Sequence, residues 1–246
     1  ALDRDKIHLN HGSFGACPIA ILAHQRRLQE EMAASPTDFF CRRLPGLLET
    51  TRHELAHFIN ADPDGLAFIP NATYGVNAVL RSRRWEKGEA VLTTKLLYPA
   101  CRNALSFIAE EFGVTVNMVD IPYPPRSADE IVERIIAAVT PATRLALIDH
   151  VTSSTALVLP IARIVAELKK KGIPTVVDGA HGPGMTALDL AAVAPAWYTG
   201  NCHKWLCTPI GSAFLWVAPE ERERTYPLSI SNYFYTPEGR AGFRAA

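Results

Sequence analysis

Apolar positions along the chain recur with two different periods, and the change from one to the other marks the elements. Over the first 60 residues, after an initial loop, Leu47, Leu48, Leu55, Phe58 and Ile59 fall on a helical stripe. From residue 65 onward short apolar runs alternate with such stripes. Leu66–Ile69 is an apolar run ending at Pro70, and a helix is predicted over 74–83. Ala90–Thr94 reads as a strand. Leu105, Ile108, Ala109 and Phe112 then recur at i, i+3, i+4 and i+7, and Gly113 closes that helix. A strand is predicted over 114–121 and a turn-rich connector over 122–126. Ser127 starts the next helix, with Glu130 spaced as its capping-box partner and Ile131, Ile135 and Val139 facing the core. Further strands are predicted at 145–149, 173–178 and 213–217. Between the first two, Ile161, Ile164, Val165 and Leu168 form a helix stopped by the lysines at 169–171 and Gly172. The stretch after Tyr226 carries no assignable pattern.

Near-continuous apolar strands separated by amphipathic helices imply an α/β fold, a mainly parallel central sheet with helices on both faces. In such sheets ligands meet the carboxyl ends of the strands. The polar clusters at 71–73, 150–154, 178–181 and 201–204 each follow an apolar run, so they are expected to converge on one edge.

Composition removes several function classes. The 246 residues are 48% hydrophobic and 20% charged, a globular balance with enough chain to bury a core. Basic and acidic residues number 25 each, which gives no electrostatic reason to expect nucleic acid or an anionic membrane as a partner. The basic runs at 81–84 and 169–171 read as solvated helix ends. No apolar run approaches the roughly 20 residues of a spanning helix, and the first residues have no signal-peptide character. The five cysteines are odd in number and form no CxxC pair, which predicts reduced thiols and a cytoplasmic location.

Three local features carry chemistry. Asp178 directly follows buried β-branched residues, and a carboxylate at that edge needs a cation or strong hydrogen bonds. Lys204 stands among Cys202, His203, Trp205 and Leu206, where desolvation would lower its pKa and sharpen it as an amine nucleophile. Asn71, Ala72 and Thr73 precede a helix whose N–H groups suit an anion. Alone, each has a plainer reading: a turn aspartate, a snorkelling lysine and a helix cap. Together, in this order, they are the phosphate anchor, ring-nitrogen partner and amine that pyridoxal 5′-phosphate requires. No GxGxxG or GxSxG motif is present, and Cys202, His203 and Cys207 lack zinc-ligand spacing, so no metal is expected.

At these residues the chain resembles the class V aminotransferases of pyridoxal-phosphate fold type I, most closely the isopenicillin N epimerase-like branch. The stretches that carry the resemblance are LNHGSFGACP (9–18), PNATYGVNAVLRS (70–82), TRLALIDHVTSSTALVLP (143–160), VVDGAHGPGM (176–185) and YTGNCHKWLCTPIGSAFL (198–215). The resemblance implies a Schiff base at Lys204, a ring-nitrogen contact from Asp178 and a bond from His181 to the cofactor's phenolic oxygen. It gives phosphate contacts to Ala72, Thr73, Asn201 and His203, ring stacking to Tyr98 and a cofactor or substrate contact to Ser153. Asn10, His11 and Gly12 match the segment that borders the substrate.

The same resemblance divides the chain into a helical rim at 1–60, a cofactor-binding α/β domain at 61–225 and, at 226–246, a tail or the start of a truncated C-terminal domain. It implies a small C-terminal domain that is missing here, and none of Arg222, Arg224, Arg240 and Arg244 sits in the family's carboxylate-binding motif. The expected activity is at the Cα of a small amino-acid substrate, as epimerase, racemase or aminotransferase, with a homodimer as the expected assembly. The alternatives are a C–S lyase or cysteine desulfurase-like enzyme, and a pyridoxal-phosphate-binding chain without turnover.

Overall fold

A computed structural model describes residues 2–3, 5–231 and 234. Arg240 and Arg244 lie outside the described residues. The N-terminal part runs through α1 (Ile19–Ala34), a short turn α2 (Pro36–Asp38), a π-helical stretch (Phe39–Arg43) and α3 (Leu44–Phe58). Strand and helix then alternate: β1 (Leu66–Ile69), α4 (Ala72–Ser82), β2 (Ala90–Thr94), α5 (Pro99–Phe112), β3 (Thr115–Val119), α6 (Ala128–Ala137), β4 (Thr143–Asp149), α7 (Ile161–Lys170), β5 (Thr175–Asp178), α8 (Leu190–Val193), β6 (Trp197–Asn201) and β7 (Ala213–Val217).

Among the described residues the strands form one sheet in the order β1-β7-β6-β5-β4-β2-β3. The pairs from β6 through β3 are parallel, and β7 runs antiparallel to both β6 and β1. Alternation along each strand feeds two cores. In β4, Leu145 and Leu147 pack with Val76, Val79, Leu105 and Ile108 of α4 and α5. Ala146 and Ile148 point the other way, onto Ile131, Ile135, Ile164 and Leu168 of α6 and α7. Helices therefore cover both faces, as the strand pattern predicts. No helix of the described residues is long and apolar enough to cross a membrane.

Several local expectations need correction. Trp197–Asn201 is a fully buried strand that apolar periodicity does not reveal, because Thr199, Gly200 and Asn201 read as polar. On the predicted stripes, Leu48, Phe58 and Phe112 are exposed, while Ile59, Leu105 and Ile108 are buried. The capping box forms only in half. Glu130 N–H donates to Ser127 Oγ at 3.1 Å, but the Glu130 carboxylate turns to the Arg126 N–H at 2.9 Å. Gly113 ends α5 in the left-handed region, at φ 69°, a conformation open to glycine at no steric cost.

Candidate active site

The carboxyl ends of β4, β5 and β6 and the amino end of α4 enclose a cavity of about 510 Å³. Gly12, Ala72, Thr73, Tyr98, Ser153, Asp178, Asn201, His203 and Lys204 line it, so most of the residues singled out from sequence meet there. A larger cavity, about 770 Å³, lies at the opposite edge beside Thr143, Pro174 and Trp197, where the same strands begin. In open α/β sheets ligands bind in the crevice outside the carboxyl ends of the strands, which favours the first.

Asp178 ends β5 and is buried. Its Oδ1 accepts the Ala180 N–H at 3.0 Å and its Oδ2 accepts the Cys101 thiol at 3.2 Å. Burial pushes its pKa up, while the Cys101 thiol, the Ala180 N–H and the charge of Lys204 pull it back. Asp149 ends β4 in register with it. Burial and then the charge of Asp178 hold Asp149 well above the usual carboxylate range, and its Oδ2 has no hydrogen-bond partner among the described residues. Each acid is raised by burial, and only Asp178 is also drawn back by the charge of Lys204.

Lys204 lies in the turn after β6, half-buried. Its Nζ is 3.0 Å from His181 Nε2 and 5.9 Å from the centre of the Tyr98 ring. Desolvation lowers its pKa against the opposing pull of Asp178, which favours the free amine. His181 is likewise pushed down, to about 4, by burial and then by the lysine charge. The glycines beside them are required by close approach. A Cβ on Gly179 would sit 2.0 Å from Tyr198 Cζ, and one on Gly182 2.1 Å from the Tyr198 hydroxyl. That hydroxyl is 2.9 Å from His150 Nδ1.

At the start of α4, the Ala72 N–H donates to Asn201 Oδ1 at 2.8 Å and the Tyr74 N–H to Asn71 Oδ1 at 2.8 Å. Thr73 stands between them on the cavity wall. His203 Nδ1 is 2.8 Å from the Ser212 carbonyl, an acceptor, so this nitrogen carries the proton. In the N-terminal segment Gly12 reaches the cavity with Ser13 and Phe14, whereas Asn10 is exposed and folds back on Ser13. His11 accepts the Ala16 N–H at 3.2 Å, and its ring centre lies 6.2 Å from that of Trp205. The Gly15 N–H donates to the His203 carbonyl at 3.1 Å, tying this segment to the Lys204 turn.

Sequence reading missed Cys101, Asp149 and Trp205. Cys101 continues the Leu105 and Ile108 stripe backwards by one turn, which marks it as inward but not as a partner of Asp178. Asp149 carries the same signal as Asp178, an acid closing a buried strand.

Residues 37–236 match the aminotransferase class-V family. An isopenicillin N epimerase of Streptomyces clavuligerus is 37% identical over 238 residues, covering 97% of this chain and 60% of the relative. One from Amycolatopsis lactamdurans is 40% identical over 242 residues, with the same coverage of 97% and 60%. A probable chloroplastic L-cysteine desulfhydrase of Arabidopsis thaliana is 34% identical over 229 residues, covering 87% of this chain and 48% of the relative. Among solved structures, the cystine C-S lyase C-DES in complex with cysteine persulfide superposes with a TM-score of 0.84 at 24% identity, over 93% of this chain and 61% of that one. That superposition establishes a shared fold. The chain spans about 60% of the length of the two epimerases.

Proposed function

The chain belongs to the class-V aminotransferase family, and from that premise we propose that it binds pyridoxal 5′-phosphate at Lys204 and acts at the Cα of an amino-acid substrate, as an epimerase, racemase or aminotransferase. The observation that carries this reading is the Lys204 amine, desolvated, 3.0 Å from His181 and sharing one cavity with Asp178 and Thr73.

The donor set fits the cofactor. Among the described residues, the buried Asp178 carboxylate is bonded only by a thiol and an amide N–H. A ring N–H⁺ is the cation that such an acid lacks. When bound, the cofactor supplies a ring that accepts electrons from the substrate Cα. Asp178 keeps the ring nitrogen protonated. Thr73 and His203 hold the phosphate at the α4 terminus, and Asn201 fixes that turn through the Ala72 N–H. His203, whose Nδ1 proton is committed to Ser212, meets an anion at Nε2 only as imidazolium. Tyr98 covers the ring and Ser153 stands at the rim. Lys204 would be the amine that holds the aldehyde carbon and, once displaced by the substrate amine, the base that takes and returns the Cα proton.

Residues 1–60 form the rim, with Gly12 at the substrate side and Asn10 and His11 shaping it, and 61–225 hold the cofactor. A homodimer and a cytoplasmic location belong to the same proposal, the second supported by five free cysteines. A C–S lyase is the second reading, favoured by the 34% identity to the desulfhydrase.

Absorbance titration with pyridoxal 5′-phosphate tests the first step. Wild type should gain the band of covalently attached cofactor and Lys204→Ala should not. An unchanged band in that variant would end the reading. Exchange of the Cα proton for solvent deuterium without sulfide release supports the epimerase class, and sulfide from cysteine supports the lyase.

A further inference from the structure

We propose that Trp205 is a positioning residue that fixes His181 as its Nε2–H tautomer, so that the ring offers a donor to the Lys204 amine and to the phenolic oxygen of bound pyridoxal 5′-phosphate. The Trp205 indole nitrogen lies 3.2 Å from His181 Nδ1. An indole N–H only donates, so Nδ1 accepts. A neutral imidazole has one N–H, and with Nδ1 accepting, that proton sits on Nε2. Nε2 in turn lies 3.0 Å from Lys204 Nζ. An ammonium group has no lone pair, so this contact is satisfied only by the neutral amine. Donation thus runs in one direction, from Trp205 through His181 to Lys204. Burial acts in the same sense, lowering the pKa of both His181 and Lys204.

The opposite assignment, a lysine ammonium donating to Nε2, moves the ring proton to Nδ1. There it would face the indole N–H, donor against donor. The indole has little room to turn away. A Cβ on Gly12 would lie 3.0 Å from Trp205 Cζ2 and 3.1 Å from His181 Nδ1, so the N-terminal segment is pressed onto both rings. Gly184, at φ +82°, packs its turn against the Trp205 backbone, where a Cβ would meet the Trp205 carbonyl oxygen at 2.9 Å, so the main chain that carries the indole is held as well.

The tautomer is a property of the protein alone, and only its use toward the phenolic oxygen rests on the cofactor reading. Long-range ¹H–¹⁵N correlation on the full chain, labelled at histidine and free of cofactor, reads it directly. His181 is assigned by the signals lost in His181→Gln. Neutral His181 is expected as the Nε2–H form in wild type, and Trp205→Phe should turn that single form into a mixture containing Nδ1–H. A wild-type ring in the Nδ1–H form overturns the proposal, and so does a Trp205→Phe ring identical to wild type. The wild-type spectrum decides even if the variant does not fold. The two readings fail separately: the tautomer is scored without cofactor, whereas a missing attached-cofactor band in wild type would sink only the cofactor assignment.

Discussion

The contact between Cys101 and Asp178 joins residues 77 apart in sequence, at the first turn of α5 and the end of β5. Burial, then the charge of Asp178, pushes the thiol far above its ordinary pKa, so Cys101 is a fixed donor and not a nucleophile. Removing it would leave Oδ2 without a donor and raise the acid further, weakening its hold on a ring nitrogen. Cys101→Ala should therefore loosen pyridoxal 5′-phosphate by about 1–2 kcal/mol, or roughly 5- to 30-fold in Kd, and Cys101→Ser should restore most of it. Equal Kd values in all three proteins by absorbance titration would remove Cys101 from the site. Chemistry at this scale was legible in the sequence only where a residue was out of keeping with its neighbours, as Lys204 and Asp178 are. Partners such as Cys101 and Trp205 look like ordinary core residues until the fold brings them together.

At the level of elements, β4 and β5 each end in a buried acid, and parallel pairing sets Asp149 beside Asp178. The native pKa of Asp149 is raised above its unfolded value, so the folded state holds the extra proton between those two values. Its contribution to stability is complete below the unfolded carboxylate pKa and is lost as pH rises toward the raised one. Asp149→Asn should remove that loss, so that its stability minus that of wild type grows by up to about 1.4 kcal/mol per pH unit across this window. His150 and His181, both pushed down to about 4, act in the opposite sense. They favour the fold above the ordinary histidine range and lose that contribution as pH falls toward about 4. Urea unfolding of both proteins at several pH values cancels the histidines, which are common to both, and reads Asp149 together with its coupled neighbour Asp178. Parallel curves would show that Asp149 is ionised alike folded and unfolded. The strands carrying these acids were readable from their apolar runs, Leu145–Ile148 and Val176–Val177. The β6 strand was not, since its burial comes from neighbours β5 and β7 and from a glycine that lets Phe214 approach: a Cβ on Gly200 would lie 2.7 Å from that ring.

For the molecule as a whole, the N-terminal part poses a problem that the sheet does not. Its α1 runs for 16 residues and buries none of them. In proteins a helix persists mainly by packing an apolar face, not by propensity alone. Yet Ile19 is 67% exposed, Ile21 44%, Phe40 53% and Phe58 56%. Side chains of this kind along α1 and the segments after it support the proposed homodimer, in which a second copy covers them. Docking of the same part onto the site explains why its packing matters. A Cβ on Gly15 would lie 2.3 Å from the carbonyl oxygens of His203 and Lys204, so Gly15→Ala should push the segment off the lysine turn and expose it to proteolysis. Sedimentation equilibrium of wild type should give twice the chain mass, and Ile19→Glu with Ile21→Glu should shift the population toward monomer. If wild type sediments as a monomer while hydrogen exchange finds α1 protected, the helix is held by the chain itself and the dimer is the wrong explanation for its exposed face.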